Sequence, residues 1–136
     1  MDTRPAPEPD EVSAPYWQAA RNRRLVMQVC QPCGTAQFPP DLLCHRCLGD
    51  ELPFEAVTGD GVVYSFAIYT RSFDPAFDVP YALALVDLAD HPEVRLMTNI
   101  VQTPLDEITI GMAVEVTFER RRDWMLPQFR AKAGPA

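Results

Sequence analysis

The sequence predicts a mainly β protein in which an N-terminal helix and a four-cysteine ribbon precede a five-stranded barrel. Three observations carry that prediction. The four cysteines stand as two C-x-x-C pairs, Cys30 with Cys33 and Cys44 with Cys47, ten residues apart. Beyond Leu52 the apolar residues recur with period two in short runs. That region shows no long 3.6-residue period, which points to a small barrel or sandwich rather than a helical fold.

In chain order, residues 1–12 carry Pro5, Pro7 and Pro9 among acidic residues and read as a disordered tail. Ser13 is placed to cap a helix, with Pro15 in the first turn, where a missing N–H costs little. The helix, residues 13–24 with its cap, puts Tyr16, Trp17 and Ala20 on one side. Two readings of these aromatics are open. Trp17 packs on the domain, or the helix docks on a partner because it has little local core to cover.

Residues 25–52 form the ribbon. Leu25 to Val29 reads as a strand into the first cysteine pair, Ala36 to Phe38 as its hairpin partner, and Pro39-Pro40 as the stop. Each C-x-x-C is followed within two places by glycine (Gly34, Gly49), which permits the positive φ of a tight knuckle. Two facing knuckles supply four sulfurs in a tetrahedron, the geometry of a closed structural zinc site held by Cys30, Cys33, Cys44 and Cys47. Iron fits the same ligands. Two disulfides, a thioredoxin-like redox pair and four unrelated buried cysteines are the competing readings. A ribbon of two short hairpins is expected to have almost no apolar core, so that the metal supplies much of its folding energy. A closed four-sulfur site leaves no thiolate free as a nucleophile and no metal-bound water.

Residues 53–131 form the barrel. Its expected strands are Gly61 to Tyr69, Tyr81 to Leu88, Val94 to Val101, Ala113 to Phe118 and Leu126 to Phe129. Gly59-Asp60-Gly61 opens the first, Asp90 to Glu93 turns between the second and third, and Gly111 precedes the fourth. Five short strands suit a Greek-key barrel of the OB type. The loop from Thr70 to Val79 is long and carries Phe73 and Phe77; it either folds back over the barrel end or presents a contact surface. Residues 132–136 read as a tail.

The remaining composition narrows the function. The formal charge of −7 argues against a nucleic-acid footprint, which is normally basic. Arg21, Arg23, Arg24 and Arg120, Arg121, Arg122 are the dense basic clusters, and both read as solvated faces. No apolar run approaches the ~20 residues of a membrane-spanning helix, and the N-terminus is unlike a signal or transit peptide, so a cytoplasmic location is expected. His45 lies inside a knuckle and His91 in a turn; neither has a serine motif beside it. With no catalytic constellation, the chain reads as a binding or accessory protein. The alternative is a single-stranded nucleic-acid binder, a use shared by zinc ribbons and OB folds.

The ordered set Tyr16-Trp17, Cys30-x-x-Cys33-Gly34, Pro39-Pro40, Cys44-x-x-Cys47 and Gly59-x-Gly61-Val62-Val63-Tyr64-Ser65 resembles the zinc-ribbon/OB-fold acyl-CoA-associated proteins. Pro80-Tyr81, Ile110-Gly111-Met112-x-Val114 and Leu126-Pro127-x-Phe129 extend the resemblance, which runs from about residue 14 to 131. It implies a rubredoxin-like zinc ribbon and an accessory role beside thiolase-like enzymes or the aldolases that cleave CoA thioesters of steroid side chains. An archaeal relative bridges a thiolase to hydroxymethylglutaryl-CoA synthase, and some bacterial relatives pair with a hot-dog-fold hydratase. By position, the resemblance puts Tyr16 and Trp17 in a partner-docking helix and Phe73 and Phe77 near a substrate channel shared with the partner. The chain alone is then not catalytic.

Overall fold

The computed structural model describes residues 2–133. Helix α1 spans Ala14–Arg21. Its entry corrects the expected cap, because the Ser13 side chain caps no amide of the helix. Instead Asp10 Oδ1 accepts from the Ser13 N–H at 2.8 Å, and Ser13 Oγ accepts from the Asp10 N–H at 3.1 Å. This is a reciprocal capping box one turn upstream, and the Ala14 N–H already reaches the Asp10 carbonyl at 2.9 Å. The helix also stops before the expected Arg24. Arg23 turns left-handed (φ 58°), and the Arg23 and Arg24 amides close back on Ala20 and Ala19 at 2.9 Å each.

Three short strands follow: β1 (Val26–Val29), β2 (Ala36–Gln37) and β3 (Phe54–Ala56). They form one antiparallel sheet in the order β2-β1-β3. β3 is a strand that the sequence reading lacked, and it corrects the picture of a ribbon without a core. With β3 on one edge and α1 nearby, Leu25, Val26, Met27 and Ala36 are buried with Tyr16 in a cluster continuous with the barrel interior.

The barrel comprises β4 (Asp60–Tyr69), β5 (Tyr81–Leu88), β6 (Arg95–Ile100), β7 (Ala113–Arg121) and β8 (Trp124–Ala131). It closes in the order β4-β5-β6-β8-β7, with β7 pairing back on β4. All pairings are antiparallel except β6 with β8, joined in parallel at Ile100 and Phe129. This is the five-stranded OB-type barrel. Period two decides which side faces in: on β5, Ala82, Ala84, Val86 and Leu88 are buried and alternate with half-buried residues. Phe129 from β8, with 1% of its surface exposed, and Val63 from β4 fill the interior between them. A register shift at Tyr64 bulges β4, and the displaced ring lies outside under the Arg95 guanidinium at 3.3 Å.

Gly59 makes the passage from ribbon to barrel. It sits at φ +86°, and a Cβ there would stand 2.3 Å from Val116 Cγ1, so only glycine fits. Asp90 accepts hydrogen bonds from the Thr58 N–H and hydroxyl at 3.0 and 2.9 Å. Glu93 Oε2 accepts from the Ala36 N–H at 3.0 Å. The turn between β5 and β6 thus grips the ribbon and its linker from the barrel side. Among the described residues no helix is long and apolar enough to cross a membrane.

Candidate functional site: a four-sulfur centre and an aromatic barrel mouth

The knuckles bring the four cysteine sulfurs within 4.8 Å of one another. Cys30 and Cys47 Sγ are 3.5 Å apart, and Cys33 and Cys44 Sγ 3.6 Å. Four thiolates around an ion at about 2.3 Å stand about 3.8 Å apart, so the set is positioned for tetrahedral metal binding. Backbone amides already point at the sulfurs: Arg46 and Cys47 N–H at Cys44 Sγ (3.4 and 3.5 Å), Gly49 N–H at Cys47 Sγ (3.4 Å). The Thr35 hydroxyl and N–H hold the Cys33 thiol below its ordinary range, and the Cys47 and Arg46 amides do the same for Cys44. Cys30 moves the other way: the Cys33 amide draws it down, but burial and the neighbouring sulfurs outweigh that and push it up. Sulfurs this crowded cannot all ionise without a cation between them, which is what a metal supplies.

Two glutamines hold the second knuckle in place, and the sequence reading missed both. Gln28 and Gln37 are buried, with 4% and 5% of their surface exposed. The Gln28 amide spans the loop before Cys44, donating to the Asp41 carbonyl and accepting from the Asp41 N–H, each at 2.9 Å. Gln37 donates to Gln28 Oε1 (2.9 Å) and to the Leu43 carbonyl (3.2 Å), and accepts from the His45 N–H at 2.8 Å. The available signal was a polar residue inside an otherwise apolar strand, Val26-Met27-Gln28-Val29. Buried amides are retained when every arm is satisfied.

The helix aromatics divide. Tyr16 is 6% exposed and packs on Phe38 and Trp17, with ring centroids 5.1 and 5.0 Å away. Burial pushes its phenol well above the usual range. Tyr16 thus turns into the chain's own core, where it anchors the helix that carries Trp17. Trp17 is half-buried and meets Trp124 edge-on at 6.2 Å.

At the barrel mouth, Phe73 is 78% exposed and Phe77 half-buried. The structure links them through two rings the sequence reading did not single out. Tyr69 and Tyr81 face each other across β4 and β5 and stack at 5.1 Å. Phe73 lies edge-on to Tyr69 at 6.2 Å, and Phe77 lies 6.3 Å from Tyr81. The tyrosines are the strand residues flanking the loop, so counting inward from its ends would have found them. Arg121, expected on a solvated face, is buried at 8% exposure and pairs with Glu119 at 3.2 Å. Residues 2–12, expected as a disordered tail, have little regular structure, but Arg4 reaches Glu119 at 2.8 Å. Of the C-terminal tail, residues 134–136 lie outside the described residues.

Two family models match the chain: "ChsH2, rubredoxin-like zinc ribbon domain" over residues 17–53 and "ChsH2, C-terminal OB-fold domain" over residues 54–119. Among curated proteins, a probable enoyl-CoA hydratase alpha subunit of Thermomonospora curvata is 38% identical over 93% of the chain. The chain spans only 40% of that relative's length. A DUF35 domain-containing scaffold protein of Methanocaldococcus jannaschii is 28% identical, over 84% of the chain and 82% of the relative. Among solved structures, a chain of the "Ltp2-ChsH2(DUF35) aldolase" superposes with a TM-score of 0.83 at 35% identity, covering 93% of this chain and 98% of that one.

Proposed function

The chain belongs to the ChsH2 family of zinc-ribbon/OB-fold (DUF35) proteins, and from that premise we propose that it is a non-catalytic accessory subunit of an acyl-CoA-processing enzyme. The partner is a thiolase-like or aldolase-like protein acting on CoA thioesters of lipid or steroid side chains. The observation that carries this reading is the likeness, along nearly the whole of both chains, to the ChsH2-type aldolase chain. Cys30, Cys33, Cys44 and Cys47 hold one structural zinc ion, which orders the knuckles and takes no part in the reaction. Trp17 contributes to docking. Phe73 and Phe77, backed by Tyr69 and Tyr81, face the shared substrate channel. An apolar acyl body left on a flat enzyme surface stays wet; a second subunit closing over it excludes water and fixes geometry.

The test is affinity purification from the native host with mass spectrometry, then reconstitution. A thiolase-like or aldolase-like protein recovered in matching amount, active only with this subunit, is the expected result. Because Phe73 is exposed, Phe73→Ala should leave the fold intact and lower kcat/KM of the complex about 10-fold. Recovery of the chain alone, or of oligonucleotide bound with steep salt dependence, overturns the proposal. A second reading, partnership with a hydratase, is favoured by the Thermomonospora relative; a hot-dog-fold protein in the same eluate would select it.

A further inference from the structure

A cavity of ≈ 520 Å³ opens between the β4–β5 loop and the polar ends of β6 and β7. Small-molecule sites run about 300–1,000 Å³. Phe77, Tyr81 and Ile100 supply its apolar wall, and Asn99, Glu119 and Arg121 its polar floor. The chain's own N-terminal segment walls one side of it: Asp2, Thr3 and Arg4 line the same cavity.

Among the described residues that wall is held by side-chain grips. Arg4 Nη1 donates to Glu119 Oε1 at 2.8 Å, Arg121 Nη1 to the Pro5 carbonyl at 3.4 Å, and Arg122 Nε to the Asp2 carbonyl at 3.3 Å. None of residues 2–5 joins a strand or a helix, and none enters the core cluster. The segment also precedes residue 17, where the match to the family models begins.

The floor beneath it is incompletely satisfied. Arg121 Nη2 reaches Glu119 Oε1 at 3.2 Å, so Arg4 and Arg121 share one carboxylate oxygen. Arg121 Nε is buried and has no hydrogen-bond partner among the described residues. If Arg4 leaves, Glu119 turns wholly to Arg121, and Arg4 keeps its own partner in Asp2 at 2.8 Å. Lifting the segment therefore strands no charge, and the Arg4–Glu119 pair, with 29% and 25% of its side chains exposed, is partly screened by solvent. What remains is a neutral Glu119–Arg121 floor beside two aromatic rings, with exposed Asp78 at the rim to repel anions.

We propose that residues 2–5 form a strap that narrows this cavity in the free chain and lifts to admit a neutral, ring-bearing ligand against Phe77 and Tyr81. The ligand class rests on the reading that this barrel end faces an apolar substrate. The seating of the strap is a property of the free chain and is measured without any partner.

The experiment combines backbone relaxation with a binding titration on the zinc-loaded chain. In the wild type, heteronuclear NOE values for the Thr3 and Arg4 amides should lie between those of the barrel strands and those of a free tail; in Arg4→Ala they should fall to those of a free tail. The neutral ring-bearing dye Nile red should bind about two- to fivefold tighter to Arg4→Ala, and to a chain lacking residues 2–5, than to the wild type. Phe77→Ala should remove that gain. Thr3 and Arg4 amides as mobile in the wild type as in Arg4→Ala overturn the strap. Unchanged dye affinity in both variants, or a gain that survives Phe77→Ala, overturns the gated cavity. The same chain failing to capture an acyl-CoA enzyme would instead count against the accessory role and leave these results standing.

Discussion

The ribbon and the barrel share one apolar cluster but are specified in different ways. In the barrel, side-chain alternation does most of the work: buried positions alternate with less buried ones along β5 and β6, the buried set is apolar except for Thr98, and closure follows from register. In the ribbon, the three-stranded sheet is apolar, yet the outer half that carries the sulfurs rests on two buried glutamines and on amides aimed at the cysteines. A domain specified by burial tolerates loss of any one polar contact; one specified by coordination and hydrogen bonds does not. The difference between the two regions is therefore measurable.

The largest effect should come from taking the metal away. Structural zinc supplies on the order of 10–16 kcal/mol in peptides that fold only around it. Here β1 and Tyr16 lie in the common core, so chelation, or Cys44→Ser, should unfold only the outer ribbon. Amide exchange would show protection lost between Cys30 and Leu52 and retained in β5 and β6. Simultaneous loss of protection in both regions would break the comparison and make the chain one cooperative unit.

Next in size is Phe129→Ala. Phe129 is 1% exposed and sits where β6 and β8 run parallel to close the barrel, and removing a buried Phe ring costs about 3–5 kcal/mol. Denaturant unfolding followed at Trp124 should shift to lower midpoint, while stoichiometric zinc binding survives in the folded fraction.

Gln37→Leu works in the opposite sense, removing hydrogen bonds while keeping bulk. The Leu43 carbonyl and the His45 N–H lose their partner, at about 1–3 kcal/mol for buried groups left unpaired. Zinc affinity, measured by chelator competition, should fall while the barrel midpoint barely moves. An unchanged affinity would mean that the cysteines alone place the second knuckle.

How much of this was legible in the sequence follows the same division. Spacing announced the sulfur cluster, because two C-x-x-C knuckles leave few other uses for four cysteines, and period two announced β5 almost to the residue. β3 was illegible, since Phe54-Glu55-Ala56 is too short to alternate and becomes a strand only by lying against β1. Helix capping by Asp10 was hidden because Ser13 is the better-looking cap one turn later. The glutamine network, the Tyr69–Tyr81 stack and the burial of Arg121 depend on who stands opposite whom, and one-dimensional pattern carries no such information. The burial of Tyr16 was hidden for a related reason: helix periodicity gives the face, but not whether the chain itself covers it.

The smallest effect tests whether the two regions touch as units or merely adjoin. Glu93, in the turn between β5 and β6, grips the ribbon through the Ala36 N–H at 3.0 Å, and its side chain is 40% exposed. Burial works against its charge, but the Ala36 amide and its own N–H more than offset that and hold the carboxyl below its ordinary 4.5. A carboxyl lowered in the folded state stabilises above the ordinary value and stops doing so as pH falls through the lowered one. Glu93→Gln keeps an acceptor and loses the charge, so the cost should be at most about 1 kcal/mol given the exposure. It should appear as faster exchange of the Ala36 amide alone, with β1 and β5 unaffected. The excess protection of wild type over Glu93→Gln should begin to shrink as pH falls below about 4.5 and be gone once pH has passed the lowered value. If β1 loosens as well, the turn is a structural clamp on the whole ribbon, and the division between a barrel made by burial and a ribbon made by coordination is less sharp than their separate contacts suggest.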